Sequence, residues 1–221
     1  MPEQINILFH GIGEPARALE PGEDAYWISV SAFEAILDEI SSWSFPVNLS
    51  FDDSNTSDVE IALPALLDRG LTAEFFVLAG RLDSPGSLGE ADLRELIENG
   101  MAVGTHGMHH HPWRGLSPAS VQEELADARD RIATVIGRPV TRAACPLGRY
   151  DRTTLGALRR LGYTTVFTSD RRPASPGAWL QPRFSVYKDD TPDSVRTSVA
   201  RSRQLPLRAR NAAATLVKSW R

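Results

Sequence analysis

The segment PVNLSF (46–51), followed at once by Asp52 and Asp53, decides how the rest of this chain is read. A short run of strand-forming residues ends in two adjacent carboxylates, and a helical pattern opens a few residues later. Outward from it the same unit recurs: INILFH (5–10), AEFFVL (73–78), AVGTH (102–106), RAACP (142–146), TTVFTS (164–169) and LQPRFSVY (180–187), separated by stretches of helical period. Strands alternating with helices are the signature of an α/β fold, and seven of them predict a (β/α) barrel of parallel strands.

The helix ends carry their own signals. Ser31 to Glu34 and Ser57 to Glu60 fit the capping box, in which a hydroxyl and a carboxylate satisfy orphan amides reciprocally. Ser117 before Pro118 is another start signal. Gly70, Gly100, Gly137 and Gly162 stand where helical patterns stop, a place that favours a left-handed residue without Cβ. Pro64 is expected to kink or shorten the second helix, because it removes an amide and crowds the preceding turn.

With 221 residues, 42% of them hydrophobic, the chain has the apolar material for one large domain, read as residues 1–195, with 196–221 as a basic C-terminal helix or tail. A net charge of -4 disfavours nucleic acid as a partner. A single cysteine, Cys145, excludes an internal disulfide. No apolar run approaches the roughly 20 residues that span a bilayer. The opening MPEQINILFHG lacks the pattern of a signal peptide, so a cytoplasmic location is expected. No acidic residue follows Asp193, and ARNAAATLVKSWR (209–221) has the makings of an amphipathic helix. Docking of that helix on the barrel is preferred over contact with a membrane surface.

Reactive residues gather at the C-terminal ends of the predicted strands: His10, Asp52 and Asp53, His106, Leu147 and Asp170. In a parallel barrel those ends share one face, where barrel enzymes build their sites. His106 and His110 lie at HxxxH spacing, which on a helical turn would aim both imidazoles the same way. With a carboxylate from elsewhere they would suit zinc or a similar divalent metal. The competing reading is a solvent-exposed histidine-rich loop. Of Asp52 and Asp53, one could bind metal while its neighbour takes a proton; an ordinary acidic turn or cap is the alternative. Trp113, Tyr150 and Trp27 could stack on the ring of a bound ligand or simply pack beneath the loops.

SFDDS (50–54), HGMHH (106–110) and ACPLGRYD (144–151) together resemble the motifs of the polysaccharide deacetylases, the NodB-homology or carbohydrate esterase family 4 enzymes. The resemblance implies a distorted barrel of about seven parallel strands and removal of N-acetyl groups from N-acetylhexosamine units of a glycan or glycan precursor. It makes Asp53, His106 and His110 ligands of a divalent metal, Zn2+ by default, with Co2+, Ni2+, Fe2+ or Mn2+ as alternatives. It makes Asp52 the base that activates water and the Leu147 amide an oxyanion donor. Asp170 resembles the family's aspartate that orients the catalytic histidine.

The departures are informative. Ser54 replaces the usual Gly, and Gly107 the usual Ser or Thr; both are read as tolerable. Ala144 replaces the arginine that normally pairs with the base, so Arg142 or Arg183 must take over, and Arg183 is preferred. The family's late catalytic histidine is missing, since no histidine follows His111. ILFHGIG (7–13) resembles the opening of circularly permuted members such as the exopolysaccharide poly-N-acetylglucosamine deacetylases, which makes His10 the expected catalytic acid. Two other functions share the scaffold: an allantoinase-like hydrolase of small cyclic amides, and a degenerate domain that binds glycan without turnover.

Overall fold

Residues 3–202 are described by a computed structural model. The seven predicted strand regions all form, each slightly trimmed: β1 (Ile5–Phe9), β2 (Val47–Asp52), β3 (Ala73–Val77), β4 (Ala102–Thr105), β5 (Arg142–Ala144), β6 (Thr165–Thr168), and a last segment broken into β7 (Leu180–Pro182) and β8 (Phe184–Ser185). All pairings are parallel, in the order β7-β6-β5-β4-β3-β2-β1-β8. The eighth strand is therefore the far half of the predicted 180–187 run. Before Arg183 this segment pairs with β6, and after it with β1. One short stretch thus nearly closes the barrel.

Register sets the two faces. Phe9, Phe51 and Phe75 stand side by side on neighbouring strands, with centroids 5.4 and 4.8 Å apart, and Phe33 of α1 (Val30–Ser41) meets Phe9 edge-on at 5.1 Å. This outward face joins the helices in the main core. Alternate residues point inward, where Phe76, Ala144 and Phe167 fill the barrel. Gly104 on β4 is required there, because a Cβ would lie 2.6 Å from the Phe76 ring.

The helical layer follows as α2 (Leu63–Asp68), α3 (Glu90–Glu98), α4 (Pro118–Val121), α5 (Ala128–Ile136), α6 (Arg152–Arg160) and α7 (Pro192–Ser202). The four glycine stops hold, with φ between 61 and 81° at Gly70, Gly100, Gly137 and Gly162. Ser117 caps α4 by accepting from the Ser120 amide at 3.1 Å. The two predicted capping boxes do not form. Ser29, not Ser31, caps α1, accepting from the Ala32 amide. The Ser57 hydroxyl instead accepts from the Ile12 amide. Pro64 does interrupt the regular helix: the turn before it, Asp58–Ala62, is π-helical, and α2 starts only at Leu63 with Pro64 in its first turn. A second π-helical turn, Gln122–Asp127, joins α4 to α5.

The boundary read at residue 195 falls inside α7, whose Val195 and Val199 are buried in the core. The 209–221 segment lies outside the described residues. Among the described residues no helix is long and apolar enough to cross a membrane.

Candidate active site

Asp52 ends β2 and points into the barrel, while Asp53 and Ser54 leave it through left-handed backbone at φ 77 and 60°. Non-glycine residues seldom adopt that conformation. At Ser54 it is held by a second bond, since the side-chain oxygen accepts from the buried Leu78 amide at 2.8 Å. The turn aims neighbouring carboxylates in different directions. Asp52 receives Arg183 in a two-pronged pairing, with Nη1 and Nη2 each 2.7 Å from one oxygen. Both partners are buried. Asp53 faces His106 and His110, whose Nε2 atoms lie 3.5 and 3.3 Å from its Oδ1.

Arg183 also explains Ala144. The space an arginine at 144 would enter is filled by Phe76 and Phe167, and the Arg183 guanidinium lies over both rings at 5.2 and 5.8 Å. Arg142 pairs instead with Glu74 at 2.9 Å, at the other end of the barrel. Burial alone would raise the Asp52 pKa, but Arg183 and His106 overcome it and hold the carboxyl below its ordinary value. Asp53 follows the same pattern: burial raises, then His110, His10, His106 and Arg81 bring it down to about 2. Burial lowers His106 to about 4, so its imidazole is neutral at pH 7.

The HxxxH pair does not sit on a helical turn. Residues 106–110 form an irregular loop after β4, with Gly107 at φ 92° and His110 at φ 56°. What shapes that loop is Glu124, buried on the second π-helical turn, which accepts from the Met108 amide at 2.8 Å and the His109 amide at 3.2 Å. A Cβ at position 107 would lie 2.4 Å from that carboxylate, so Gly107 leaves room for it. His109 and His111 flank the site on the exposed side.

Each ligand-type histidine has its other nitrogen engaged. His106 Nδ1 lies 2.9 Å from the Ala144 carbonyl oxygen and His110 Nδ1 lies 2.7 Å from Glu20. Both therefore donate from Nδ1 and present the Nε2 lone pair to Asp53. Asp53 Oδ1 is buried without a hydrogen-bond partner. Two imidazole nitrogens and one carboxylate oxygen, all within 4.8 Å of one another, are a donor set that a divalent metal fits.

These groups form the floor of a cleft of about 300 Å³. His10 stands on its wall, with its ring 4.6 Å from Tyr26, which in turn lies 4.8 Å from Tyr187. Burial lowers the His10 pKa, while Asp53 and Asp52 oppose that shift. Leu147 sits at the rim with left-handed backbone at φ 55° and an exposed side chain. Asp170 is not brought to this cleft. Its carboxylate accepts from Tyr150 at 2.7 Å and Thr168 at 2.8 Å, and His10 Nδ1 has no hydrogen-bond partner. Trp113, Tyr150 and Trp27 are buried and pack beneath the loops. Sequence reasoning missed Glu20, Tyr26, Glu124 and Tyr187. Only Glu124 had a signal, the lost side chain at Gly107, which asks what fills its place.

A family model described as polysaccharide deacetylase matches residues 44–166, more than half of the 221. The match takes in both aspartates, both ligand-type histidines and Leu147, and leaves His10, Asp170 and Arg183 outside. A Bacillus subtilis (strain 168) protein, YxkH, assigned by name to the polysaccharide deacetylases, is 29% identical over 129 residues, which are 58% of this chain and 46% of that protein. The chain thus spans about half the length of this curated relative. Among solved structures, the Streptococcus pyogenes deacetylase PplD, in complex with acetate, aligns with a TM-score of 0.77 at 21% identity, covering 90% of this chain and 98% of that one. IcaB from Ammonifex degensii aligns with a TM-score of 0.71 at 22% identity, covering 89% and 96%. These two likenesses establish the fold.

Proposed function

Because the chain belongs to the polysaccharide deacetylase family, we propose that it hydrolyses the N-acetyl group of N-acetylhexosamine units in a glycan or glycan precursor, with Asp53, His106 and His110 holding a divalent metal, Zn2+ by default. One observation carries the reading: a buried carboxylate locked by Arg183 lies beside that donor set at the floor of an open cleft.

A divalent ion in this set would polarise the acetamide carbonyl and acidify water. The protein's own groups supply the rest. Asp52, kept ionised by Arg183 despite its burial, accepts the proton of the attacking water. The two-pronged pairing also fixes the carboxylate plane, so the basic oxygen cannot rotate away. The backbone amide of Leu147, on a left-handed turn at the cleft rim, donates in this reading to the oxyanion as negative charge develops on the carbonyl oxygen. His10, on the cleft wall, passes a proton to the departing amine. Burial lowers its pKa, and Asp53 and Asp52 oppose that shift. Tyr26 and Tyr187 form an aromatic wall against which a pyranose face can lie.

The test is acetate release from N-acetylglucosamine oligomers by Zn2+-loaded protein, beside Asp52→Asn and His10→Ala, with metal content measured on all three. The expected result is turnover by wild type and losses of about 100-fold or more in both variants with metal retained. Wild type that binds metal and releases no acetate overturns the reading; hydrolysis of a small cyclic amide in its place, or glycan binding without turnover, would identify which alternative holds.

A further inference from the structure

The loop between β1 and α1 reaches the metal ligands directly. Glu20 accepts a hydrogen bond from His110 Nδ1 at 2.7 Å and pairs with Arg81, just beyond β3. Its segment is tied down locally, because the Glu20 amide donates to Glu23 at 2.8 Å and the Glu23 amide donates to the Glu20 carbonyl at 3.0 Å. Glu23 is itself buried and paired with Arg17, whose guanidinium reaches Asn55 at 2.8 Å, two residues beyond Asp53. A few residues further on, the same loop supplies Tyr26 against His10.

The two histidines are therefore held differently. His106 is oriented by a backbone carbonyl, which no substitution removes and which carries no net charge. His110 is oriented by a carboxylate, which fixes its tautomer and makes its Nε2 a stronger electron donor. The left-handed backbone at His110 leaves no helix to hold its ring, so the outer partner does that work.

We propose that Glu20 is the positioning residue of the metal centre: it sets the tautomer and aim of His110 and, being part of the cleft wall, ties ion binding to the ordered state of the loop that carries Tyr26. The proposal rests on the reading that Asp53, His106 and His110 hold a metal. Arg81 supports the same arrangement, since it pairs with Glu20 and holds that carboxylate against the cleft wall.

The experiment measures Zn2+ affinity by competition with a chromophoric chelator for wild type, Glu20→Ala and Glu20→Gln, together with the ring 15N signature of His110 in the metal-free protein. Thermal melts of the metal-free forms check folding. The expected result is Zn2+ binding weaker by about 10- to 100-fold in Glu20→Ala, an intermediate loss in Glu20→Gln, which keeps an acceptor and lacks the charge, and loss of the Nδ1-protonated signature in Glu20→Ala. Should Glu20→Ala not fold, Glu20→Gln decides by the same affinity measurement. Wild-type affinity in the variants, or an unchanged His110 signature, overturns the proposal. Failure of wild type itself to bind Zn2+ would instead overturn the metal reading beneath it.

Discussion

Replacing Arg183 with Met keeps the volume against Phe76 and Phe167 and removes both prongs from Asp52. Arg183 is 0% exposed and Asp52 is 2% exposed, so water entering from the cleft replaces the lost partner only in part. Breaking a buried pair from one side costs about 3–5 kcal/mol, whereas an exposed pair is worth less than about 1 kcal/mol. At roughly 2–4 °C per kcal/mol for a chain of this size, the melting temperature should fall by about 6–20 °C. The pH dependence gives the sharper test. In wild type the Asp52 pKa is lowered, so its contribution is present above the ordinary value of 3.8 and is lost only as pH falls through the lowered one. Without Arg183, burial is opposed only by weaker partners such as His106 and His10, the pKa rises, and stability is lost as pH climbs through it. The gap between wild type and Arg183→Met should therefore be small near pH 4 and widen toward pH 8. Urea titrations of the metal-free proteins at several pH values would measure it. In an Asp52→Asn background the sign should reverse, since Arg183 is then the unpaired buried charge. A gap below about 1 kcal/mol that does not change with pH would refute the argument.

Glu74 allows a second linkage test, away from Asp53, His106 and His110. Burial, relieved only in part by Arg142, pushes its pKa from an ordinary 4.5 up to about 7. Stability from this group is thus present below about pH 4.5 and lost as pH rises through about 7, to a limit of roughly 3 kcal/mol. Glu74→Gln should gain on wild type by up to that amount between pH 5 and 8 in denaturant titrations, and parallel curves would contradict it. Gly107→Ser should lower the melting temperature and weaken Zn2+ binding, because its Cβ would meet Glu124 at 2.4 Å and its backbone at φ 92° resists any side chain. An unchanged melt would show that Glu124 can move aside without releasing the Met108 and His109 amides.

Strands were legible because each is a local apolar run, and every one of them appears within a few residues of its predicted bounds. Barrel closure was not legible, since the break at Arg183 serves pairing to β6 and β1, partners far away in sequence. The same distinction separates the site residues. Asp52, Asp53, His106 and His110 stand in short motifs, and the structure brings them together. The HxxxH spacing suggested a helical turn and found a loop, whose Met108 and His109 amides are held by the buried Glu124 carboxylate. Asp170 sits at a strand end as expected, yet Tyr150 and Thr168 claim its carboxylate. Glu20 lies in a loop without period or motif, so only its contact with His110 identifies it.

The position of Arg183 links the Asp52 carboxylate to the fold more tightly than an arginine at position 144 would. β5 pairs with β6 along its three residues and with β4 at Ala143, so a side chain there decorates a strand already held on both sides. Arg183 lies between β7 and β8, where the chain changes partner. Its amide donates to the carbonyl of Thr168, the last residue of β6, at 2.8 Å and its carbonyl accepts from Arg171, just beyond β6, at 3.0 Å, while the Val186 amide donates to Leu8 on β1. With β8 only two residues long, few backbone bonds hold this seam. The ion pair to Asp52 crosses from the seam to β2, the strand beyond β1, and so braces the closure while it orients the carboxylate. Closing the barrel and fixing the Asp52 carboxylate are then one event: a seam that opens releases the guanidinium, and a guanidinium that leaves an unpaired buried carboxylate behind favours opening.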